Sequence, residues 1–164
     1  MKRLSVLAAL CVFAGPASAI APKNATYYCT NEAAGGVSYE ERQSRWAGTV
    51  FRPSKPFVLK LNYLGSSREK MYEWADPSDV ARFNVTVTAA GSNKDIPCYD
   101  LRDPLKPILV WGNGWVRCES SLSEIRFNTE NNRFMRAYLV GYVDGEDNNE
   151  NTPSISIGVC TKLN

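Results

Sequence analysis

The carboxylates Glu40-Glu41, Glu119, Glu124 and the run Asp144–Glu150 are the side chains whose grouping could do chemistry. Two acids at a set separation suffice to hydrolyse a glycosidic bond, one as proton donor and one as base or nucleophile. A working donor needs burial to lift its pKa. All of these acids fall in turns or on polar strand faces, where solvation alone accounts for them. A carboxylate-based hydrolase is therefore the third choice of function. Histidine is absent from the 164 residues, which removes Ser-His-Asp and Cys-His catalysis, histidine-ligated metals and the usual base near neutral pH. No G-x-S-x-G, P-loop or dinucleotide glycine motif occurs. No catalytic residue, metal ligand set or cofactor is implied.

The acidic run Val143–Pro153 poses the metal question directly. An EF-hand loop places oxygen ligands at positions 1, 3 and 5, glycine at 6 and glutamate at 12. Counted from Asp144, Glu146 and Asn148 fit, but position 6 is Asn149 and position 12 is Ile155. The stretch reads as a polar loop between two strands, with a looser calcium site as the open alternative.

Of five cysteines, Cys11 lies in an apolar leader, leaving Cys29, Cys98, Cys118 and Cys160. A four-cysteine zinc site uses close C-x₂₋₄-C pairs, and none is present. An even count in an exported chain points to disulfides, for which four cysteines allow three pairings. The expected pairing is Cys29–Cys160 with Cys98–Cys118, the first tying the start of the domain to its end.

Aromatic side chains supply the remaining candidates. ILVWGNGWVRC (Ile108–Cys118) reads as a hairpin with Asn113-Gly114 in a type I′ turn, where both positions need positive φ. That register sets Trp111 opposite Val116 and Leu109 opposite Cys118. Trp111 and Trp115 then stand near one tip, either packed into the end of a core or lining a binding site. Trp111, on the regular strand, is the more core-like; Trp115 is the better contact residue.

The elements that must hold these residues are strands. Phe57, Leu59, Leu61 and Tyr63 alternate with polar or opposite-facing residues, as do Phe83, Val85 and Val87. Ile155, Ile157 and Val159 are expected to face inward against Ser154, Ser156 and Gly158. Further candidates are Ala25–Thr30, Val37–Tyr39, Arg45–Phe51, Ile108–Trp111, Trp115–Cys118, Ser123–Asn128 and Arg133–Val143. Ala75-Asp76-Pro77-Ser78-Asp79-Val80-Ala81 offers one or two helical turns, with an acidic N-cap and proline at the first helical position. The fold class is all-β: a mostly antiparallel small β-barrel or β-sandwich of about ten short strands with at most one short helix.

Residues 1–19 read as a signal peptide, with Lys2-Arg3 before the apolar Leu4–Gly15 and Ala17-Ser18-Ala19 as cleavage site. Residues 20–164 form a single disulfide-bonded β domain. No second apolar segment is long enough for a membrane span. Nineteen basic residues face 17 acidic ones in the full chain, and losing Lys2 and Arg3 brings the mature side chains to balance. That surface lacks the cationic footprint of a nucleic-acid binder. The expected location is periplasmic or secreted.

RFMRAYLVGYVDGEDNNENTPSISIGVC resembles segments of an uncharacterised family of small exported proteobacterial proteins, a likeness that implies a secreted bacterial protein and no particular activity. Tyr27, Cys29, Gly35, Gly36 and Tyr39 in TYYCTNEAAGGVSYEERQSRWAGTVF resemble the opening of the periplasmic inhibitors of C-type lysozyme, which implies a compact disulfide-bonded barrel. Their S-G-x-x-Y loop is missing: in LGSSREKMY glycine precedes serine and Tyr72 lies too far on. Trp46-Ala47-Gly48-Thr49 is similar to a lipocalin-like barrel motif. The expected function is non-catalytic binding of a small apolar ligand in a barrel interior, or of a protein such as a hydrolase in the manner of an inhibitor. The oligomeric state is left open.

Overall fold

Ten antiparallel strands form one sheet in the computed structural model, which describes residues 23–164. The expected leader and its cleavage site lie outside the described residues. In chain order the strands are β1 (Ala25–Glu40), β2 (Arg45–Phe51), β3 (Phe57–Glu69), β4 (Ser78–Ala89), β5 (Ile96–Cys98), β6 (Ile108–Val110), β7 (Trp115–Ser120), β8 (Ser123–Asn128), β9 (Arg133–Tyr138) and β10 (Ser154–Lys162). Their spatial order is β5-β4-β3-β1-β10-β9-β8-β7, with β2 beside β1 and β6 beside β4. Among the described residues, no helix is long and apolar enough to cross a membrane.

The sheet curls without closing into a continuous ladder. Its two ends, β5 and β7, meet through one bridge between Tyr99 and Glu119 and through the Cys98–Cys118 disulfide. The second disulfide, Cys29–Cys160, joins directly paired residues of β1 and β10. Alternation turns one face of each strand inward. Tyr27, Phe57, Leu59, Leu61, Phe83, Val116, Ile125, Phe127 and Phe134 are all buried in one core. Rings from separated strands meet inside it: Tyr27 on β1 lies 4.7 Å from Phe127 on β8, and Phe57 on β3 lies 5.0 Å from Phe134 on β9. Edge-to-face pairs of this kind stabilise beyond their buried area.

Four local expectations are corrected. The turns expected over Ala75–Ala81 do not form a helix. Ser78 to Ala81 instead begin β4, because β3 runs on to Glu69 and pairs Glu69 with Ser78 and Ser67 with Val80. Ala25–Thr30 and Val37–Tyr39 are one strand, carried through by a register shift between Asn31 and Ala33. The strand beginning at Arg133 stops at Tyr138, and Tyr142–Asp144 makes a 3₁₀ turn.

The fourth correction is the face of β10. Ile155, Ile157 and Val159 are 46 %, 48 % and 40 % exposed, while Gly158 and Cys160 point inward. Cys160 must face the core to reach buried Cys29, and period-two alternation then fixes every other residue of the strand. Gly158 sits so close to its neighbours that an added Cβ would lie 2.1 Å from the Thr30 carbonyl oxygen and 2.8 Å from Phe134.

Candidate functional site

The expected hairpin between Ile108 and Cys118 is also corrected, and its replacement builds the site. β6 pairs with β4, setting Val110 opposite Ala81 and Leu109 opposite Arg82. β7 pairs with β8, setting Trp115 opposite Asn128 and Arg117 opposite Arg126. The chain between them crosses the seam of the open barrel as a tight turn, with the Gly114 amide donating to the Trp111 carbonyl at 3.0 Å. Gly114 has positive φ and Asn113 does not, so the turn is not the type I′ that would have laddered the two strands.

Alternation then places Leu109, Trp111, Trp115 and Arg117 on the outer face, since Ile108, Val110, Val116 and Cys118 are buried. These residues floor a groove of ≈ 700 Å³ across the seam. One wall is the loop after β5, whose turn is held by the Asp100 carboxylate accepting from the amides of Arg102 (2.8 Å) and Asp103 (3.2 Å). The other wall is the β3–β4 connection, with Met71 and Tyr72. Both tryptophans named from the sequence lie on this groove. Trp111 is partly buried, and its indole Nε1 has no hydrogen-bond partner among the described residues; Trp115 is 51 % exposed.

The groove's charge is organised by Glu124. Arg117 and Arg126 each donate through Nε to its Oε1 at 2.7 Å, leaving their Nη edges without a partner among the described residues. Burial pushes the Glu124 carboxyl upward, but hydrogen bonds from Arg126 and Arg117, with their positive charges, hold it below the ordinary glutamate range. Arg82 and Arg102 form no ion pair among the described residues, while Lys106 reaches Asp103 at 3.3 Å.

Of the carboxylates singled out for chemistry, Glu119 and Glu124 are brought together as direct partners on β7 and β8. Glu124 is held ionised, the reverse of what a proton donor needs. Glu40 is paired with Arg45 at 3.1 Å. Ser67 and Lys70 stand at the spacing of a lysine-activated serine, but β3 extends through Ser67, so the two do not share a helical face. Lys70 Nζ instead donates to the Glu73 carbonyl at 3.4 Å.

The Asp144–Glu150 loop is fastened rather than merely solvated. Asn149 receives the Tyr39 amide at 2.8 Å and donates to the Tyr39 carbonyl at 2.9 Å, and Asp147 accepts from Trp46 Nε1 at 2.9 Å. Among the described residues, no three His, Cys, Asp or Glu side chains are grouped to hold a metal ion.

Sequence reasoning missed the arginines of the groove. Arg82, Arg117 and Arg126 each occupy the polar position of an alternating strand, where a solvated cation is ordinary; the β7–β8 ladder pairs Arg117 with Arg126, and the seam brings Arg82 to them. No protein-family model matches this chain, and no curated protein or solved structure matches it.

Proposed function

We propose that the protein is an exported, non-catalytic binding protein that holds its ligand in the outer groove, with Trp115 and Trp111 as contact residues. The carrying observation is the placement of a half-exposed tryptophan, fixed by the β7–β8 ladder, on one groove with Arg82 and Arg102, which form no ion pair among the described residues. A groove of this volume falls in the range of small-ligand sites, ~300–1,000 Å³. The ligand is placed there and not in the barrel interior, where rings from separated strands already touch. Two disulfides and the leader pattern of residues 1–19 support export to a periplasmic or extracellular location. The test is native mass spectrometry of protein recovered from the periplasm. A retained small mass that disappears in Trp115→Ala is expected; a mass retained equally by both proteins would move the site elsewhere.

A second reading, a protein-binding module such as a hydrolase inhibitor, is favoured by Tyr72 and Trp74. Their rings stack 5.1 Å apart at an interplanar angle of 6°, and they are 50 % and 84 % exposed. A projecting aromatic pair suits insertion into a partner's cleft. In the same experiment this reading expects a protein complex, lost in Trp74→Ala and retained in Trp115→Ala.

A further inference from the structure

The groove's charge and its aromatic faces together define a class of ligand. Cationic side chains outnumber acidic ones in its lining by five to three, although the mature chain as a whole is near balance. Among the described residues, Arg82 and Arg102 form no ion pair, and Arg117 and Arg126 present unpartnered Nη edges. Guanidinium groups of this kind bind carboxylates or phosphates in bidentate fashion. The site therefore favours an anion.

It does not favour a dense polyanion. Glu69, Asp100 and Asp103 line the groove together with the cations and would repel closely spaced phosphates. Asp100 and Asp103 are engaged by the loop amides and Lys106, but the Glu69 carboxylate and the Asn113 amide suit groups that both donate and accept hydrogen bonds, as hydroxyls do. The half-exposed face of Trp115 suits a ring with an apolar face. We infer that the groove binds an acidic oligosaccharide, a short chain of sugar rings each carrying one carboxylate. The carboxylate would meet Arg82 or Arg102, the hydroxyls Glu69 and Asn113, and one ring face the Trp115 indole. This inference rests on the outer groove being the binding site.

The experiment titrates the mature protein with tetragalacturonate, following tryptophan fluorescence and heat. A neutral tetrasaccharide and a tetraglutamate peptide serve as comparisons. Saturable binding of tetragalacturonate alone is expected. Arg82→Gln and Trp115→Ala should each weaken it about tenfold or more, the loss attending one charge-assisted hydrogen bond or one aromatic contact. Arg82→Lys should retain part of the affinity. Arg102→Gln, on an exposed loop, gives a second variant should Arg82→Gln fold poorly. No saturable binding, equal binding of tetraglutamate, or undiminished affinity in both Trp115→Ala and Arg102→Gln would overturn the inference. A native ligand lost from Trp115→Ala, with no response to tetragalacturonate, would overturn the ligand class and leave the groove as the site.

Discussion

Tyr99 and Glu119 exchange two backbone hydrogen bonds, Tyr99 N to Glu119 O at 2.9 Å and Glu119 N to Tyr99 O at 2.8 Å. With the adjacent Cys98–Cys118 disulfide, this bridge holds together the two ends of a sheet that has no ladder there. An open sheet edge exposes unpaired amides and carbonyls to other chains. Here the seam is bridged at one point, and the groove lies across it. The bridge therefore belongs both to the stability of the barrel and to the shape of the site.

Removing the disulfide should expose that dual role. Cys98→Ala with Cys118→Ala opens a cross-link spanning 20 residues, worth ~3 kcal/mol on the chain-entropy argument. Urea denaturation should show a loss of about that size. Binding in the groove should weaken as well, because the wall carrying Asp100 and Arg102 starts directly after Cys98. Unchanged stability, or lost stability with full binding, would separate the seam from the site.

The face of β10 gives a second test. Gly158→Ala would drive its Cβ into the Thr30 carbonyl and the Phe134 ring, an overpacking that costs ~1–3 kcal/mol. Ile157→Ala, on the 48 % exposed face, should cost well under the ~2–5 kcal/mol of a core isoleucine. The reverse order of the two costs would mean that the isoleucines face inward.

How far the sequence could be read depended on the range of the interaction concerned. Alternation in Phe57–Leu61 and Phe83–Val87 identified real strands with the right inward face, because each pattern is local. In Ser154–Cys160 the same rule named the strand and inverted it. Two solutions of period two exist: the apolar pattern favours one, and the Cys160 disulfide selects the other. The turn at Asn113-Gly114 was legible, but its register was not. Whether a three-residue strand such as β6 pairs with the next strand or with β4 depends on which edges are open, and β5 covers only Val85–Val87 of β4. The approach of Arg82 to the Arg117–Arg126 pair was illegible for the same reason.

Acid stability should report on Glu124. Its folded-state pKa lies below the ordinary glutamate range, so its contribution is present above that range and is lost as pH falls through the folded value. Glu124→Gln should therefore flatten the acid limb of the stability curve below about pH 4–5. Asp95, also lowered by hydrogen bonds from Lys60 and Thr88, should leave part of the limb in place. Chemical denaturation across pH measures both; identical limbs for wild type and variant would refute the assignment to Glu124.

The acidic loop should respond at its fastenings and not at its free acids. Asn149→Ala removes both bonds to the Tyr39 backbone, and amide exchange at Tyr39 should accelerate. Asp144→Asn with Glu146→Gln should change stability by less than about 0.5 kcal/mol, as ordinary surface changes do. Millimolar calcium should leave the melting temperature unmoved. A rise abolished by the double substitution would establish a calcium site, since a ligand selective for the folded state must stabilise it.

The two tryptophans of the groove should divide between fold and binding. Trp115 is 51 % exposed, so Trp115→Ala should cost far less than the ~3–5 kcal/mol of a buried tryptophan while losing the ligand. Trp111 is partly buried, and Trp111→Ala should be the more destabilising of the pair. Its Nε1 donates to no group among the described residues, so the indole N–H adds no hydrogen bond to this part of the fold. Trp111→Phe should therefore retain most of the stability that alanine loses. Denaturation of the three variants gives the order of costs. Quenching must be measured with Trp46 and Trp74 replaced by phenylalanine, because Trp74 is 84 % exposed and would dominate the signal. In that background a soluble quencher should reach Trp115 more readily than Trp111. A shielded Trp115 whose alanine variant unfolds more easily than that of Trp111 would make it a structural residue and remove the groove's principal contact.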